Sequence, residues 1–274
     1  MNLLVPLAFS SLREIVRQPF YYIILFFGCF IILMSFAFTF FAFGEEARMI
    51  RDMAISTITV GGLLTGCMAS SILIAGEFER QTVLAVLCKP VSRVYFILGK
   101  YLGILAATFL LVFSQGLVLE VALIMRNYST VQNDTTGFSG LIDFVCILGI
   151  CFSLLQILIL TAISLVLSLY LNSIANLTIC LFFFIFCNTF SYILPIHSYS
   201  NIVVSIITAI CYMVFPNLQS LNMTAINEVV TAPSSLWQEN NTIQYIVHCI
   251  LHTTIYCIAV VWLAVFLFKR KEIA

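Results

Sequence analysis

Residues 20–43, 54–75, 177–194 and 243–268 contain no Asp, Glu, Lys or Arg. A helix needs about 20 apolar residues to cross a hydrocarbon core of roughly 30 Å, so each run can span a bilayer or nearly so. The rest of the chain follows the same pattern, being 62% hydrophobic and 9% charged, against roughly 25% charged in a soluble domain. The expected fold is an all-α polytopic membrane protein made of one transmembrane domain over residues 1–274. Ten cysteines show no paired spacing, and Cys29, Cys67, Cys146, Cys151, Cys180, Cys187 and Cys257 sit in apolar runs. They read as small hydrophobes, not as a disulfide framework or a zinc site.

In chain order, residues 1–19 carry Arg13, Glu14 and Arg17 among apolar residues and read as an interfacial amphipathic helix. No removable signal peptide is expected. Pro19 suits the first turn of the next helix. The expected spans are 20–43, 54–75, 96–125, 141–171, 177–194 and 243–268. Residues 44–53 (GEEARMIRDM) are expected as a charged loop, 126–140 as a polar loop, and 172–176 as a short turn. Segment 198–215, between Pro195 and Pro216, is borderline in length and reads as re-entrant. Gly62 and Gly66 form a GxxxG that would let helices approach closely. Six spans place Arg13, Arg17, Arg80, Lys89, Arg93, Lys100, Lys269, Arg270 and Lys271 on one side, and Arg48, Arg51 and Arg126 on the other. That asymmetry puts both termini in the cytoplasm.

The longest interval that mixes charge with apolar residues runs from the loop 76–95 into the third span and reads GEFERQTVLAVLCKPVSRVYFILGKYLG from Gly76 to Gly103. Glu77 and Arg80 share a helical face, Pro90 turns the chain, and Ser92 can cap a helix starting near Arg93. The interval therefore reads as a short interfacial helix, a corner and a re-entering helix. A plain charged loop, the competing reading, needs fewer residues. No GxxxxGK[ST] phosphate loop, GxSxG elbow or HExxH helix occurs. The spans also lack the buried ionisable chains of ion-coupled carriers; Glu120 is the exception and reads as reaching the outer interface.

The stretch resembles the E-x-E-x-x-T … L-x-K-P-V-S-R … F-x-x-G-K signature of ABC-2 type exporter permeases. GEEARMIRD (44–52) and PNLQSLNMTAINEVV (216–230) are similar to segments of the subgroup of multi-copper-enzyme maturation permeases, which includes the permease for nitrous-oxide-reductase maturation. Leu221 stands where that subgroup has Phe. The resemblance implies a type V exporter-like subunit of a bacterial cytoplasmic membrane with no catalytic activity or cofactor of its own. Two permease copies, or a copy and a sister, would dock on two ATPase subunits that bind ATP and Mg. A periplasmic accessory protein is a further candidate partner; nucleic acid is not. It further implies that Glu77, Glu79, Arg80 and Thr82 lie on the coupling helix, and Pro90, Ser92, Arg93, Gly99 and Lys100 on the corner and re-entry. Spans 2 and 5 would line a pathway, with Thr65, Ser70, Asn188 and Ser191 as candidates; helix packing is the competing reading for these four. His197, His248 and His252 fall on the expected outer side and are candidates for a soft-metal site, although two histidines one turn apart make no site by themselves. The alternative functions are a self-contained ion-coupled carrier or channel and, less supported by the residues, a membrane hydrolase.

Overall fold

A computed structural model describes residues 4–35, 46–76, 93–131, 144–193, 215–222 and 239–270. Every regular element among them is helical. In order they are α1 (Leu4–Val16), α2 (Pro19–Met34), α3 (Glu46–Ser70), a π-helical continuation of α3 (Ser71–Ala75), α4 (Arg93–Val131), α5 (Phe144–Leu167), α6 (Ser173–Ile193), a single 3-10 turn (Gln219–Leu221) and α7 (Glu239–Arg270). Five of the helices are long and apolar enough to cross a bilayer. The first expected span is described only to residue 35; its helix α2 meets α1 at a 67° bend and passes the same test only jointly with it. The chain is a multi-pass membrane protein.

Local chemistry sets the bend. Arg17 and Gln18 donate their backbone N–H groups to Arg13 and Ile15, closing α1, and Pro19 occupies the first turn of α2. Its missing N–H costs nothing there, because that group has no intrahelical acceptor.

Helix ends differ from the expected boundaries: α5 stops at Leu167, four residues short of its expected end, and α7 starts at Glu239, four residues before its expected start. Residues 46–53 form the N-terminal end of α3 and are not a loop, since EARMIRDM has no glycine or proline to stop a helix. α4 runs on to Val131, six residues past the expected end of its span. α6 begins at Ser173, so Asn176 lies inside a helix, its N–H bonded to the Asn172 carbonyl at 2.9 Å. Residues 77–92, which hold the expected coupling helix, and residues 198–214, the expected re-entrant segment, lie outside the described residues.

α3 is the axis of the bundle. Its apolar window is 78% buried, against 22% for those of α6 and α7. One apolar cluster surrounds its N-terminal part, with Ile58, Leu63, Leu119, Ile157 and Leu160 fully covered. A second surrounds its base, where Leu73 and Ile74 meet Ile15, Ile97, Leu165 and Phe268. Glycines let the neighbours close in: a Cβ on Gly62 would stand 2.2 Å from Ile157 Cδ1, and one on Gly66 would stand 2.2 Å from Thr161 Cγ2. The GxxxG of α3 therefore seats the Ile157–Thr161 ridge of α5.

These two contacts differ in how they relax. Both residues are β-branched, but the closest Ile157 atom is a terminal methyl that can turn about χ2, leaving Cγ1 at 2.9 Å, whereas the Thr161 methyl is fixed to Cβ and its hydroxyl is bonded to the Leu158 carbonyl at 3.0 Å. Gly66→Ala is expected to destabilise the folded protein by about 1–3 kcal/mol, the usual cost of overpacking, and Gly62→Ala by less. Thermal unfolding in detergent measures both, and the reverse ranking would contradict this packing.

Candidate functional site

The base of α3 is the end that residues 77–92 connect to α4. Regular α-helix stops at Ser70, and Ser71–Ala75 form a π-helical turn. Such wider turns alter the backbone hydrogen-bond ladder and concentrate at functional positions. Lys100 on α4 reaches into this turn. Its Nζ donates to the Leu73 carbonyl at 2.9 Å and lies 5.3 Å from the centre of the Phe96 ring. That ring in turn stacks on Phe268 of α7 at 5.9 Å. Lys100 is 4% exposed, so these contacts act where an uncompensated ammonium would cost several kcal/mol.

α1 is held against the same end of α4. A Cβ on Gly99 would come within 2.3 Å of Leu7 Cδ2, and one on Gly103 within 2.5 Å of Ser11 Cβ and 2.9 Å of the Ala8 carbonyl oxygen. Gly99 and Gly103 face α1 from successive turns, with Lys100 between them directed at α3. One short segment of α4 thus grips the N-terminal helix through its glycines and the central helix through its lysine.

Two more helices are tied to α3 by a polar cluster. The Asn176 amide of α6 shares its two N–H groups among Ser71 Oγ at 2.8 Å, Ser164 Oγ at 2.9 Å and Ser70 Oγ at 3.3 Å. Ser70 and Ser164 also bond to each other, and Cys180 Sγ donates to Asn176 Oδ1 at 3.5 Å. The four polar residues Ser70, Ser71, Ser164 and Asn176 are buried. This cluster joins α3, α5 and α6 beside the π-helical turn, as Lys100 joins α4 to it. Asn176 was hidden in the sequence by its neighbours Asn172 and Ser173, which read as a turn. Asn172 instead stands where helix N-caps favour asparagine, and that is the signal that would have moved Asn176 into a helix.

A cavity of ≈ 380 Å³ lies farther along α3, lined by Ser56 and Thr59 of α3, Gln156 of α5, Asn188 of α6, and Gln219 and Asn222. The segment 215–222 closes one side of it. Gln156 Nε2 donates to the Leu218 carbonyl at 2.7 Å, and the Tyr245 hydroxyl donates to the Ser220 carbonyl. Phe215 packs among Phe183, Phe186 and Phe190. The PNLQSL motif is therefore fastened to α5, α6 and α7.

Of the candidate pathway residues, Asn188 borders this cavity. Thr65 is fully covered and its hydroxyl returns to the Gly61 carbonyl at 2.8 Å, while Ser70 belongs to the Asn176 cluster. Ser191 lies on α6, but its side chain is outside the described residues. Of the proposed ATPase-facing residues, Arg93 begins α4, and Gly99 and Lys100 form the grip just described. Glu77, Glu79, Arg80, Thr82, Pro90 and Ser92 lie outside the described residues, as does His197. His248 and His252 are exposed on α7, and no group of three or more His, Cys, Asp or Glu suited to a metal occurs among the described residues.

Asn176→Leu keeps the branched shape and leaves the serine hydroxyls without their amide. It is expected to cost about 1–3 kcal/mol, the penalty for stranding buried polar groups. Asn176→Asp is expected to cost at least as much, because it removes the donors and introduces a charge. Unfolding midpoints in detergent would show both losses, and midpoints unchanged from wild type would mean the cluster holds nothing.

No curated protein matches the chain. Residues 22–274 match the model of DUF2705, a family described as a protein of unknown function, and the chain belongs to that family.

Proposed function

We propose that this chain is the membrane-spanning permease subunit of an ATP-binding cassette exporter of the ABC-2 type, driven by a separate ATPase that docks on residues 76–95. One observation carries the reading: Lys100 and Leu73 tie together the two helices that flank residues 77–92. A force applied to that stretch enters α3 and α4 jointly. It then reaches α5 and α6 through Asn176, and α1 through Gly99 and Gly103. α3, being the most buried span, is the element through which such a push would move the rest.

In this reading residues 77–92 form the coupling helix on the cytoplasmic side, with both termini on that side. ATP and Mg belong to the partner, and this chain performs no chemistry. A second copy, or a sister permease, would face the exposed strip of α3 at Met53 and Val60 and the exposed face of α6 at Phe182 and Ile185. The neutral cavity bordered by Asn188 would lie beside that junction. The resemblance to metalloenzyme maturation permeases makes transport for metalloenzyme assembly one candidate role.

Co-expression with a cognate ATP-binding cassette subunit tests the proposal. Glu77→Ala combined with Arg80→Ala is expected to reduce copurification of the ATPase and its membrane-coupled turnover, while leaving the permease folded by size-exclusion chromatography. Full complex formation and full turnover in the double variant would remove the coupling assignment. Flux through liposomes holding this chain alone would favour the self-contained carrier.

A further inference from the structure

The cavity of ≈ 380 Å³ beside α3 draws polar side chains from separate segments: Ser56 of α3, Gln156 of α5, Asn188 and Thr189 of α6, and Gln219 of the segment 215–222. No Asp, Glu, Lys, Arg or His borders it, and Val60, Phe184 and Ile185 supply its apolar wall. Between membrane helices, polar side chains converge where water or a ligand enters, not where acyl chains do.

Holding the helices together does not require most of this polarity. The Ser56 and Thr189 hydroxyls donate to carbonyls one turn back, Asp52 at 2.7 Å and Ile185 at 2.9 Å. Asn188 Nδ2 likewise donates to the Phe184 carbonyl of its own helix at 3.1 Å. Gln156 differs, because its Nε2 fastens the Leu218 carbonyl at 2.7 Å. A carboxamide has two N–H groups and an oxygen with two lone pairs, so one bond leaves most of its capacity. Among the described residues neither the Asn188 nor the Gln156 oxygen accepts a hydrogen bond. Neither oxygen belongs to the fully covered atoms that lack a partner, so each is open to the cavity it lines.

A donor and an acceptor side by side, without charge, select the occupant. A charged group would enter with no countercharge to meet it. An acyl chain would leave both carboxamides unmatched. A sugar carries hydroxyls on every edge and would set several of them against Val60, Phe184 and Ile185. A secondary amide offers one N–H and one C=O, and the side chains beside it in a peptide can be apolar. The volume falls within the roughly 300–1,000 Å³ of small-ligand sites, which suits a short piece of peptide and not a folded partner. We infer that this cavity binds an uncharged stretch of apolar peptide, its backbone N–H donating to Asn188 and its carbonyl accepting from Gln156. As a statement about cargo this rests on the permease reading. As a statement about binding it needs no ATPase, so the two fail separately.

A matched pair of photoactivatable probes tests it on the full chain in phospholipid nanodiscs. One is a dipeptide of leucine and diazirine-bearing leucine, capped at both ends, and its twin has an ester in place of the central amide. Wild type is expected to capture the amide roughly two- to tenfold better, the value of one hydrogen bond, with adducts at Val60, Phe184 or Ile185. Asn188→Leu removes the acceptor and should bring the ratio to about one. Val60→Trp puts a bulky ring into the cavity and should abolish capture of both probes, which decides the matter if Asn188→Leu does not fold. Equal capture of both probes by wild type would overturn the inference. So would a preference that persists in folded Asn188→Leu, or capture that persists in folded Val60→Trp. Displacement of the probe by an alkyl glucoside and not by the unlabelled dipeptide would overturn it in favour of a sugar.

Discussion

Inside a bilayer there is no water to satisfy a polar group, so each one must find its partner within the protein. That constraint explains where the polar residues of α3 point. Thr59, Thr65 and Ser71 return their hydroxyls to carbonyls one turn back, which lets a helix rich in small polar residues sit at the centre of the bundle. Where this local solution is supplemented from outside, a neighbouring helix is recruited: Asn176 brings α6 to Ser70 and Ser71, and Lys100 brings α4 to Leu73. The ties gather at the π-helical turn, the point from which the chain departs to residues 77–92.

Close approach supplies the rest of the cohesion. Gly62 and Gly66 admit α5 to the face of α3, and Gly99 and Gly103 admit α1 to the face of α4. Dispersion between closely approached backbones substitutes for the hydrophobic effect, which is weak between helices already surrounded by apolar chains. The segment 215–222 is held differently, by side chains of Gln156 and Tyr245 that capture its carbonyls. This is how irregular backbone is tolerated among membrane helices: its polar groups are bonded by protein.

Features governed by local sequence could be read in advance. The apolar runs announced the spans, Pro19 announced the start of α2, and the GxxxG announced a contact face. Features governed by distant partners could not. The N-terminal end of α3 reads as a loop because Arg48, Arg51 and Asp52 interrupt hydrophobicity, yet nothing in EARMIRDM interrupts a helix. Asn176 and Gln156 gain their meaning only from residues tens of positions away. Lys100 was singled out through a motif, with a docking role in view, and its place in the fold is internal: it holds the end of α3.

That internal role joins the described helices to the stretch that follows α3. If the Lys100–Leu73 contact is what keeps the π-helical turn in place, removing the ammonium should loosen that turn and little else. Hydrogen exchange on the purified chain in nanodiscs, comparing wild type with Lys100→Met, measures this directly. The account predicts faster exchange of the amides of Ser71–Ala75 and Gly76, with those of residues 54–66 still protected. Unchanged exchange at the turn would contradict it, and so would uniform loosening of the whole of α3.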